Sequence, residues 1–400
     1  MTNILIATGS FKDVYSPMEA CEMFKGILGE IQPDATITTI PMIDGGEYSS
    51  EVLQSVFRYE KKVVVEVVNP RGEKITSHYL KVDEQTVFIA TSSILKLPDS
   101  QEMYLNPLKL TSYGFGQLIS HAIKNGYKKL ILGLGGTHTV DGGIGMAQAL
   151  GVKFVGKDGV ALAPLEGDFF AGQDMINIGG MLLDNFIDFV GDVEALCDAT
   201  ANLIEMRVPT NQKISSSFDA ERNEIAATLE NGAFSYASLL GISTDDNYFG
   251  TAGAILLSLI ALFDPETMLG SKYFAEKFEL AKHIAETDLV ITGEGKIDNS
   301  LLGKSPIGVS RLAKKYGKKV AYVVGTVEED LKKYFSAGSY LAKEVPEDFS
   351  NNGVTEIISG HQFYDIHDLP QDYMKRIEFF QENNPGVFEQ GLVDFFSKYS

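Results

Sequence analysis

The chain has 400 residues, of which 44% are hydrophobic, and its formal net charge at pH 7 is −20. This length favours two domains over one, and the apolar fraction is sufficient for sizeable cores. The acidic balance argues against nucleic acid or an anionic membrane as a partner, but it leaves an anionic substrate open. The longest apolar stretch, roughly residues 251–263, is too short to span a bilayer, so we expect a soluble, cytoplasmic protein.

The amino-terminal segment alternates predicted strands and helices. Residues 3–8 and 36–42 are apolar runs typical of buried strands, and residues 47–57 follow a helical pattern. Ser16-Pro17-Met18-Glu19 is a capping box that starts another helix between the two strands. The order strand, helix, strand, helix predicts the beginning of a parallel sheet.

The pattern changes near residue 60 and changes back near residue 287. Strands are predicted at 63–68, 74–82 and 86–90, with turns between them that are typical of antiparallel hairpins. After residue 287 a strand, a helix and a further strand follow each other again. We therefore predict a doubly wound domain made of residues 1–60 and 287–400, with a mixed α/β domain inserted at 61–286.

The central stretch of the inserted domain runs from residue 129 to residue 151. An apolar strand at 130–134 is followed by Gly135-Gly136, then by Asp141-Gly142-Gly143 and a segment of small residues that is predicted to be a helix. A strand, a glycine turn and a helix can present backbone N–H groups to an anion. The alternative is a tight turn whose aspartate caps the helix.

Two other stretches resemble this one. Residues 40–49 contain Asp44-Gly45-Gly46 before a helix, and residues 288–298 contain a strand that is expected to end in a Gly-Glu-Gly turn. Ligands of open α/β sheets bind where such turns follow the strands. The candidate cofactor-binding glycines are Gly45, Gly46, Gly135, Gly136, Gly142, Gly143, Gly293 and Gly295.

Taken together, several segments resemble the glycerate kinase family, in the two-domain bacterial form that phosphorylates D-glycerate with ATP. The matching segments occur in the family's order, and the more specific ones are residues 133–151 and 288–313. The others are Ser10-Phe11-Lys12, residues 41–47, Asn106-Pro107-Leu108, Tyr113-Gly114 and Cys197-Asp198. The resemblance implies a flavodoxin-like domain with a second α/β domain inserted, and it implies ATP and Mg²⁺ as cofactors.

The chain departs from the family's usual pattern at several positions. The family usually has Asp at the position of Gly9, an acidic residue at that of Ala90 and Asn at that of Val140. The alternative function is therefore a non-catalytic or substrate-shifted paralogue that binds a small anion or a nucleotide. A dehydrogenase is a weaker third possibility, because residues 8–11 lack the dinucleotide fingerprint that should follow the first strand.

Phosphoryl transfer to a hydroxyl needs cations for the phosphate, a carboxylate for the hydroxyl proton and alignment of the two reactants. Lys12 and Lys304 are the candidate cations, and Lys304 with the helix start at Ser305-Pro306 is expected to face phosphate. The candidate carboxylates are Asp44, Asp141, Asp198, Glu294 and Asp298. Asp141 and Asp298 are the expected Mg²⁺ ligands, Asp141 being also a candidate base, and the sequence leaves the division of roles open. The predicted partners are a small hydroxy acid and ATP, with no nucleic acid and no membrane, and a homo-oligomer is left open.

Overall fold

The computed structural model describes residues 2–11, 14–57, 61–96, 106–203, 219–297, 305–327, 342, 345, 347–351, 353–359 and 373–399. The chain divides into two compact units. The first contains Met1–Ile43 and Ser271–Ser400, and the second contains Asp44–Gly270.

The strands of the described residues are, in chain order, β1 (Asn3–Ile6), β2 (Thr36–Thr39), β3 (Lys61–Val68), β4 (Lys74–Lys81), β5 (Thr86–Ala90), β6 (Lys129–Leu134), β7 (Lys153–Val155), β8 (Gly180–Leu182), β9 (Asp192–Cys197), β10 (Glu266–Leu269), β11 (Leu289–Ile297), β12 (Lys319–Val327) and β13 (Glu356–Ser359).

The α-helices of the same residues are α1 (Pro17–Ile31), α2 (Ser49–Phe57), α3 (Ser92–Leu95), α4 (Tyr113–Lys124), α5 (Ile144–Ala149), α6 (Asp219–Leu240), α7 (Leu256–Phe263), α8 (Gly270–Lys277), α9 (Leu280–Ala285), α10 (Ser305–Lys315), α11 (Glu347–Asn351) and α12 (Tyr373–Tyr399).

The first unit is built on a parallel sheet of five strands in the order β2-β1-β11-β12-β13. Numbered by their order along the chain, these strands run 2-1-3-4-5, which is the flavodoxin-like order. The predicted capping box is present, since Ser16 Oγ accepts from Glu19 N and Glu19 Oε2 accepts from Ser16 N. Phe24 on α1 packs against Phe388 on α12 in the core of this unit.

The second unit is built on a mixed sheet in the order β10-β9-β6-β5-β4-β3. Strands β5, β6, β9 and β10 are parallel, and β3 and β4 extend the sheet as an antiparallel pair. The hairpins predicted between residues 63 and 90 are therefore confirmed. The predicted fold class, a flavodoxin-like parallel sheet together with a mixed α/β sheet, agrees with both units.

The boundaries of the units differ from the predicted boundaries at 60 and 287. Helix α2 packs on β4 and β5, so the second unit begins before this helix, at Asp44. At the other end, α9 packs on α10 and belongs to the first unit, so the second unit ends at Gly270. Sequence periodicity places helices, but it does not show which sheet they cover.

Two predicted helices also differ in detail. The apolar segment at 251–263 is a short 3-10 helix, Thr251–Ala254, followed by α7, because Ala252 and Gly253 have positive φ. The polar helix predicted at 212–232 corresponds to α6, while residues 204–218 lie outside the described residues. In the described parts of the chain, no helix is both long and apolar enough to cross a membrane.

Candidate active site

The parallel strands of the second unit's sheet end at a common edge. Strands β5, β6, β9 and β10 are followed there by Thr91, Gly135, Asp198 and Gly270. The carboxyl edge of an open α/β sheet is where ligands bind. Three of the sequence-predicted residues, Gly135, Gly136 and Asp198, lie at this edge.

Thr91, after β5, forms hydrogen bonds to Gly135, after β6. Its side chain is fully buried, and its Oγ1 lies 2.8 Å from Gly135 O and 2.9 Å from Gly135 N. Its backbone N–H donates to Gly133 O at 2.8 Å. The segment 133–135 is thus fixed by a neighbouring strand end, and sequence reasoning did not single out Thr91.

The Asp44-Gly45-Gly46 turn lies against the same edge. Gly45 has φ 96°, and a Cβ on it would stand 2.9 Å from Leu196 O, so neither this φ nor this contact suits another residue. The half-buried Asp44 accepts a hydrogen bond at Oδ1 from Gly46 N at 3.1 Å. Ser92 Oγ, at the start of α3, donates to Gly46 O at 3.1 Å. The turn is therefore held at the strand ends by backbone packing and by Ser92.

Asp198 directly follows β9 and lies beside Gly135. Its backbone N–H donates to Leu134 O at 3.0 Å, and its side chain is half-buried. A Cβ on Gly135 would overlap with Asp198 Oδ2, and a Cβ on Gly46 would stand 3.7 Å from Gly135 Cα. Gly135 therefore has two carboxylate-bearing turns as neighbours, those of Asp44 and Asp198.

A lysine that sequence reasoning missed also lies here. Lys96 follows α3, and its Nζ is 3.2 Å from Glu47 Oε1, each side chain being about one quarter exposed. Glu47 in turn packs on Gly136, where a Cβ would stand 2.8 Å from Glu47 Cγ. No local motif marks Lys96, since its partner lies about fifty residues earlier in the chain.

Asp141, the first candidate from the sequence, is buried and fully engaged. Only 1% of the residue is exposed. Oδ2 accepts from Ser112 N and Ser112 Oγ, both at 2.8 Å, and from Gly145 N at 3.3 Å, while Oδ1 accepts from Gly143 N at 3.1 Å. Burial raises the pKa of Asp141 above its usual value, and these donors act in the opposite direction. This geometry fits a structural anchor for the starts of α4 and α5 better than it fits a metal ligand or a base.

In the first unit, the expected Gly-Glu-Gly turn is wrong. Gly293, Glu294 and Gly295 lie inside β11, which continues to Ile297 because it pairs with β12 over this whole length. Glu294 is buried, and its Oε1 accepts from Tyr322 OH at 2.6 Å.

The segment Gly293–Gly295 lies beside the loop that follows β1. Thr8 Oγ1 and Gly9 N both donate to Gly293 O, at 2.9 and 3.1 Å, and Gly295 N donates to Ser10 O at 3.3 Å. In a sheet of this strand order, the gap between β1 and β11 is the topological switch point. Glu294 is thus near a position where such sheets bind ligands.

Most of the candidate cofactor-binding glycines donate their N–H groups within the protein. The acceptors are Ser49 Oγ for Gly45, Asp44 Oδ1 for Gly46, Thr91 Oγ1 for Gly135, Gly253 O for Gly142, Asp141 Oδ1 for Gly143 and Ser10 O for Gly295. In this conformation these glycines permit close packing of loops. A cradle of their N–H groups around a phosphate remains a prediction.

Three candidate residues, Lys12, Asp298 and Lys304, lie outside the described residues. The helix predicted to follow Lys304 is present as α10, beginning at Ser305, whose Oγ donates to Ile43 O at 3.0 Å.

A strained loop near Asp141 was also missed. Ala252, Gly253 and Ala254 have φ of 48°, 66° and 62°, and Gly142 N donates to Gly253 O at 3.1 Å. Thr251 Oγ1 donates to Ala199 O, one residue after Asp198, at 3.2 Å. Left-handed alanines are costly and tend to occur at functional sites. Their only signal in the sequence is the glycine within this loop.

The donor set at the carboxyl edge is compatible with a hard divalent cation. Among the described residues, no group of three or more His, Cys, Asp and Glu side chains is arranged to hold a metal ion. In kinases, Mg²⁺ commonly has only one or two carboxylate ligands from the protein, and phosphate oxygens and water supply the rest. Asp44 and Asp198 fit that requirement, whereas the donors around Asp141 leave its oxygens poorly suited to a cation.

Comparisons with known proteins agree with these features. The profile of the Glycerate kinase family matches residues 4–351. Glycerate 2-kinase of Escherichia coli (strain K12) is 33% identical over 343 residues, which are 82% of this chain and 86% of that protein. Glycerate kinase of Haemophilus influenzae is 31% identical over 350 residues, 84% and 88% of the two chains.

A solved structure is similar along nearly the entire chain. The crystal structure of a protein designated glycerate kinase 2 from Salmonella typhimurium LT2 has a TM-score of 0.66 and 26% identity. It covers 99% of this chain and 98% of its own.

Proposed function

This chain belongs to the glycerate kinase family, and we propose that it transfers the γ-phosphoryl group of ATP to a hydroxyl group of glycerate. The relatives' names support the enzyme class, a phosphotransferase with an alcohol group as acceptor. The choice of ATP, of Mg²⁺ and of glycerate over other small hydroxy acids is part of the proposal.

The observation that carries the proposal is the position of Asp44 and Asp198 at the carboxyl edge of the second unit's sheet. Both are half-buried. Asp198 lies beside Gly135, and Gly46 of the Asp44 turn packs on Gly135. A hydroxyl group becomes a better nucleophile toward phosphorus when a carboxylate accepts its proton. Asp198 is the base in this proposal and takes the hydroxyl proton on a carboxylate oxygen. Asp44 is the second carboxylate of the site.

Mg²⁺, when bound with ATP, would neutralise charge on the phosphate oxygens. Asp44 is the described carboxylate that would hold it, together with phosphate oxygens and water, which leaves Asp198 to accept the proton. Lys12, Glu294, Asp298 and Lys304 remain predicted catalytic residues of the first unit.

Turnover with defined substrates tests this proposal. The purified protein, given ATP, Mg²⁺ and D-glycerate, is expected to release ADP and to form a phosphate monoester. Phosphorus NMR of the product separates 2-phosphoglycerate from 3-phosphoglycerate and so identifies the hydroxyl that reacts. Absence of ADP release across a panel of small hydroxy acids would reject the catalytic proposal.

The second candidate is a paralogue that binds a nucleotide or a small anion without turnover. It is favoured by the absence of acidic side chains at Gly9 and Ala90. Calorimetry with ATP and with D-glycerate distinguishes it, since heat of binding without product formation would support this candidate.

A single substitution tests the departure at Gly9. An added Cβ at Gly9 would meet its nearest atoms at 3.7 Å, which is ordinary van der Waals contact. Gly9→Asp is therefore expected to fold. If the missing carboxylate limits activity, this variant should raise turnover, and if the chain is fully active without it, turnover should stay the same or fall.

A further inference from the structure

Strand β3 is an edge strand of the second unit's sheet, and every second one of its residues from Lys62 to Glu66 has an exposed side chain. Among the described residues, β4 is the strand that pairs with β3, on one side. Lys62, Val64 and Glu66 have exposed side chains, with Val64 63% exposed. We call these three residues the β3 edge. A long edge strand with an exposed valine can pair with another strand.

The backbone groups of the β3 edge point away from β4. Beyond the end of β3, Asn69 N donates to Glu73 O at 2.8 Å, so these facing residues form a hydrogen-bonded pair. Bonded and non-bonded pairs alternate along an antiparallel ladder, and the even-numbered residues of β3 therefore direct N–H and C=O outward. Val68 agrees with this parity, because its N–H donates to Gln117 Oε1 at 2.8 Å. Gln117 thus caps one end of the outer side, and the β3 edge precedes it.

The β3 edge is complementary to itself. In an antiparallel pair centred on Val64, each Val64 faces its counterpart, and Lys62 of each copy faces Glu66 of the other. The three facing pairs would form about six backbone hydrogen bonds and two ion pairs. Moving the centre to Lys62 or to Glu66 would place like charges opposite each other, which disfavours those registers.

We propose that two copies of this chain pair through the β3 edge, as antiparallel strands related by a twofold axis at Val64. Such an interface is isologous, as in most dimers of identical chains. Glu66 can exchange its present ion-pair partner for Lys62 of the other copy. It now lies 3.7 Å from Lys74 Nζ, and both of these side chains are more than 70% exposed. An exposed pair of this kind contributes little and can rearrange at small cost. Because a strand pair alone buries less than about 1,200 Å², we expect a weak dimer, with a dissociation constant on the order of micromolar.

Sedimentation velocity over a wide concentration range tests the dimer and its register. Lys62→Glu and Glu66→Lys each replace two attractive pairs by two repulsive ones, and each should raise the dissociation constant about tenfold or more. The double variant Lys62→Glu/Glu66→Lys restores opposite charges and should restore the dimer. Lys153→Glu, which makes the same change of charge at an exposed residue of β7, is the matched control and should have no effect.

Two further measurements test the backbone hydrogen bonds of the proposed strand pair. Val64→Pro removes an N–H that points away from β4, so the β3–β4 ladder should stay intact while the dimer is lost. Hydrogen exchange at the amides of Lys62, Val64 and Glu66 should slow as the protein concentration rises, whereas the amide of Val65, bonded to β4, should not respond. Circular dichroism verifies that each variant is folded.

Loss of the dimer in the single-charge variants with recovery in the double variant supports the proposal. A wild-type chain that is monomeric at all concentrations overturns it. A dimer that survives Lys62→Glu and Val64→Pro in folded protein also overturns it, because the copies would then associate through another surface.

Discussion

The tripeptide Asp-Gly-Gly occurs twice in the chain, at residues 44–46 and 141–143, and the two turns differ in what surrounds the aspartate. Asp44 is half-buried and accepts a local hydrogen bond at Oδ1 from Gly46 N. Asp141 is 1% exposed and accepts four hydrogen bonds through its two oxygens. The same three residues thus form a turn at the carboxyl edge of the sheet in one place and an anchor for two helices in the other.

The difference follows from which segments meet each aspartate. Ser112, at the start of α4, supplies two of the donors to Asp141, and Gly145 in α5 supplies another. The Asp44 turn instead packs on strand ends. Gly45 lies against Leu196 in β9, and Gly46 lies against Gly135, which is beside Asp198. A carboxylate whose lone pairs are already taken stabilises the fold. One that is half-buried remains in contact with solvent, where it can bind a cation or a proton.

The largest effect is expected for Asp198→Asn. Removal of the proposed base should lower the rate of ADP release by about two to four powers of ten. The melting temperature should change little, since the side chain is half-buried and Asn has nearly the same shape. Asp192→Asn, at the exposed opposite end of β9, is the matched control and should keep full turnover. Normal kinetics of Asp198→Asn would show that the base lies elsewhere.

Asp141→Asn should act on stability. In either orientation of the amide, its NH₂ group faces a backbone N–H of Gly143 or of Ser112 and Gly145, and a buried donor loses its acceptor. We expect a loss of about 2–4 kcal/mol in the free energy of unfolding, measured by urea denaturation. Asp44→Asn keeps an acceptor for Gly46 in a half-buried position, and its loss should be smaller than that of Asp141→Asn. Equal losses in the two variants would contradict the contrast between the two turns.

The two turns also show which features could be predicted from the sequence and which could not. The fold class was predictable because strand periodicity and glycine turns are local features, and the flavodoxin-like order of the first unit agrees with the family resemblance. The different environments of Asp44 and Asp141 were not predictable. They depend on Ser112 and on the packing of Gly45 at Leu196, which lie tens of residues away or more. Lys96 was missed for the same reason.

Gly135→Ala tests whether close packing at the edge positions Asp198. The added methyl group would overlap with the carboxylate of Asp198, so this side chain must move. We expect a loss of about 1–3 kcal/mol in stability and a fall of up to about a hundredfold in turnover, because small displacements of a reacting group are costly. Gly26→Ala, in α1 with no atom within 4 Å of the added Cβ, is the control and should not lower either quantity. A Gly135→Ala variant with unchanged turnover would mean that the position of Asp198 is not critical.

A smaller effect is expected from the ion pair between Lys96 and Glu47. Both side chains are largely shielded from water, and the pair joins the end of α3 to the residue after Asp44-Gly45-Gly46. A double-mutant cycle with Lys96→Met and Glu47→Gln should give a coupling energy of about 1 kcal/mol in urea denaturation. A coupling energy indistinguishable from zero would show that packing alone holds this turn.

The smallest effect concerns His78 on β4. Burial lowers its pKa below the ordinary value of 6.5, Lys62 on β3 lowers it further, and Glu51 on α2 acts in the opposite direction. The Nε2 atom is buried without a hydrogen-bond partner among the described residues. Since the unfolded chain binds a proton more readily than the folded one, stability should be highest above pH 6.5 and should fall as the pH drops through this value. Replacement by a residue that does not titrate, His78→Leu, should flatten the pH dependence of the unfolding free energy between about pH 5 and 7. An unchanged slope in His78→Leu would show that other groups cause the loss of stability in this range.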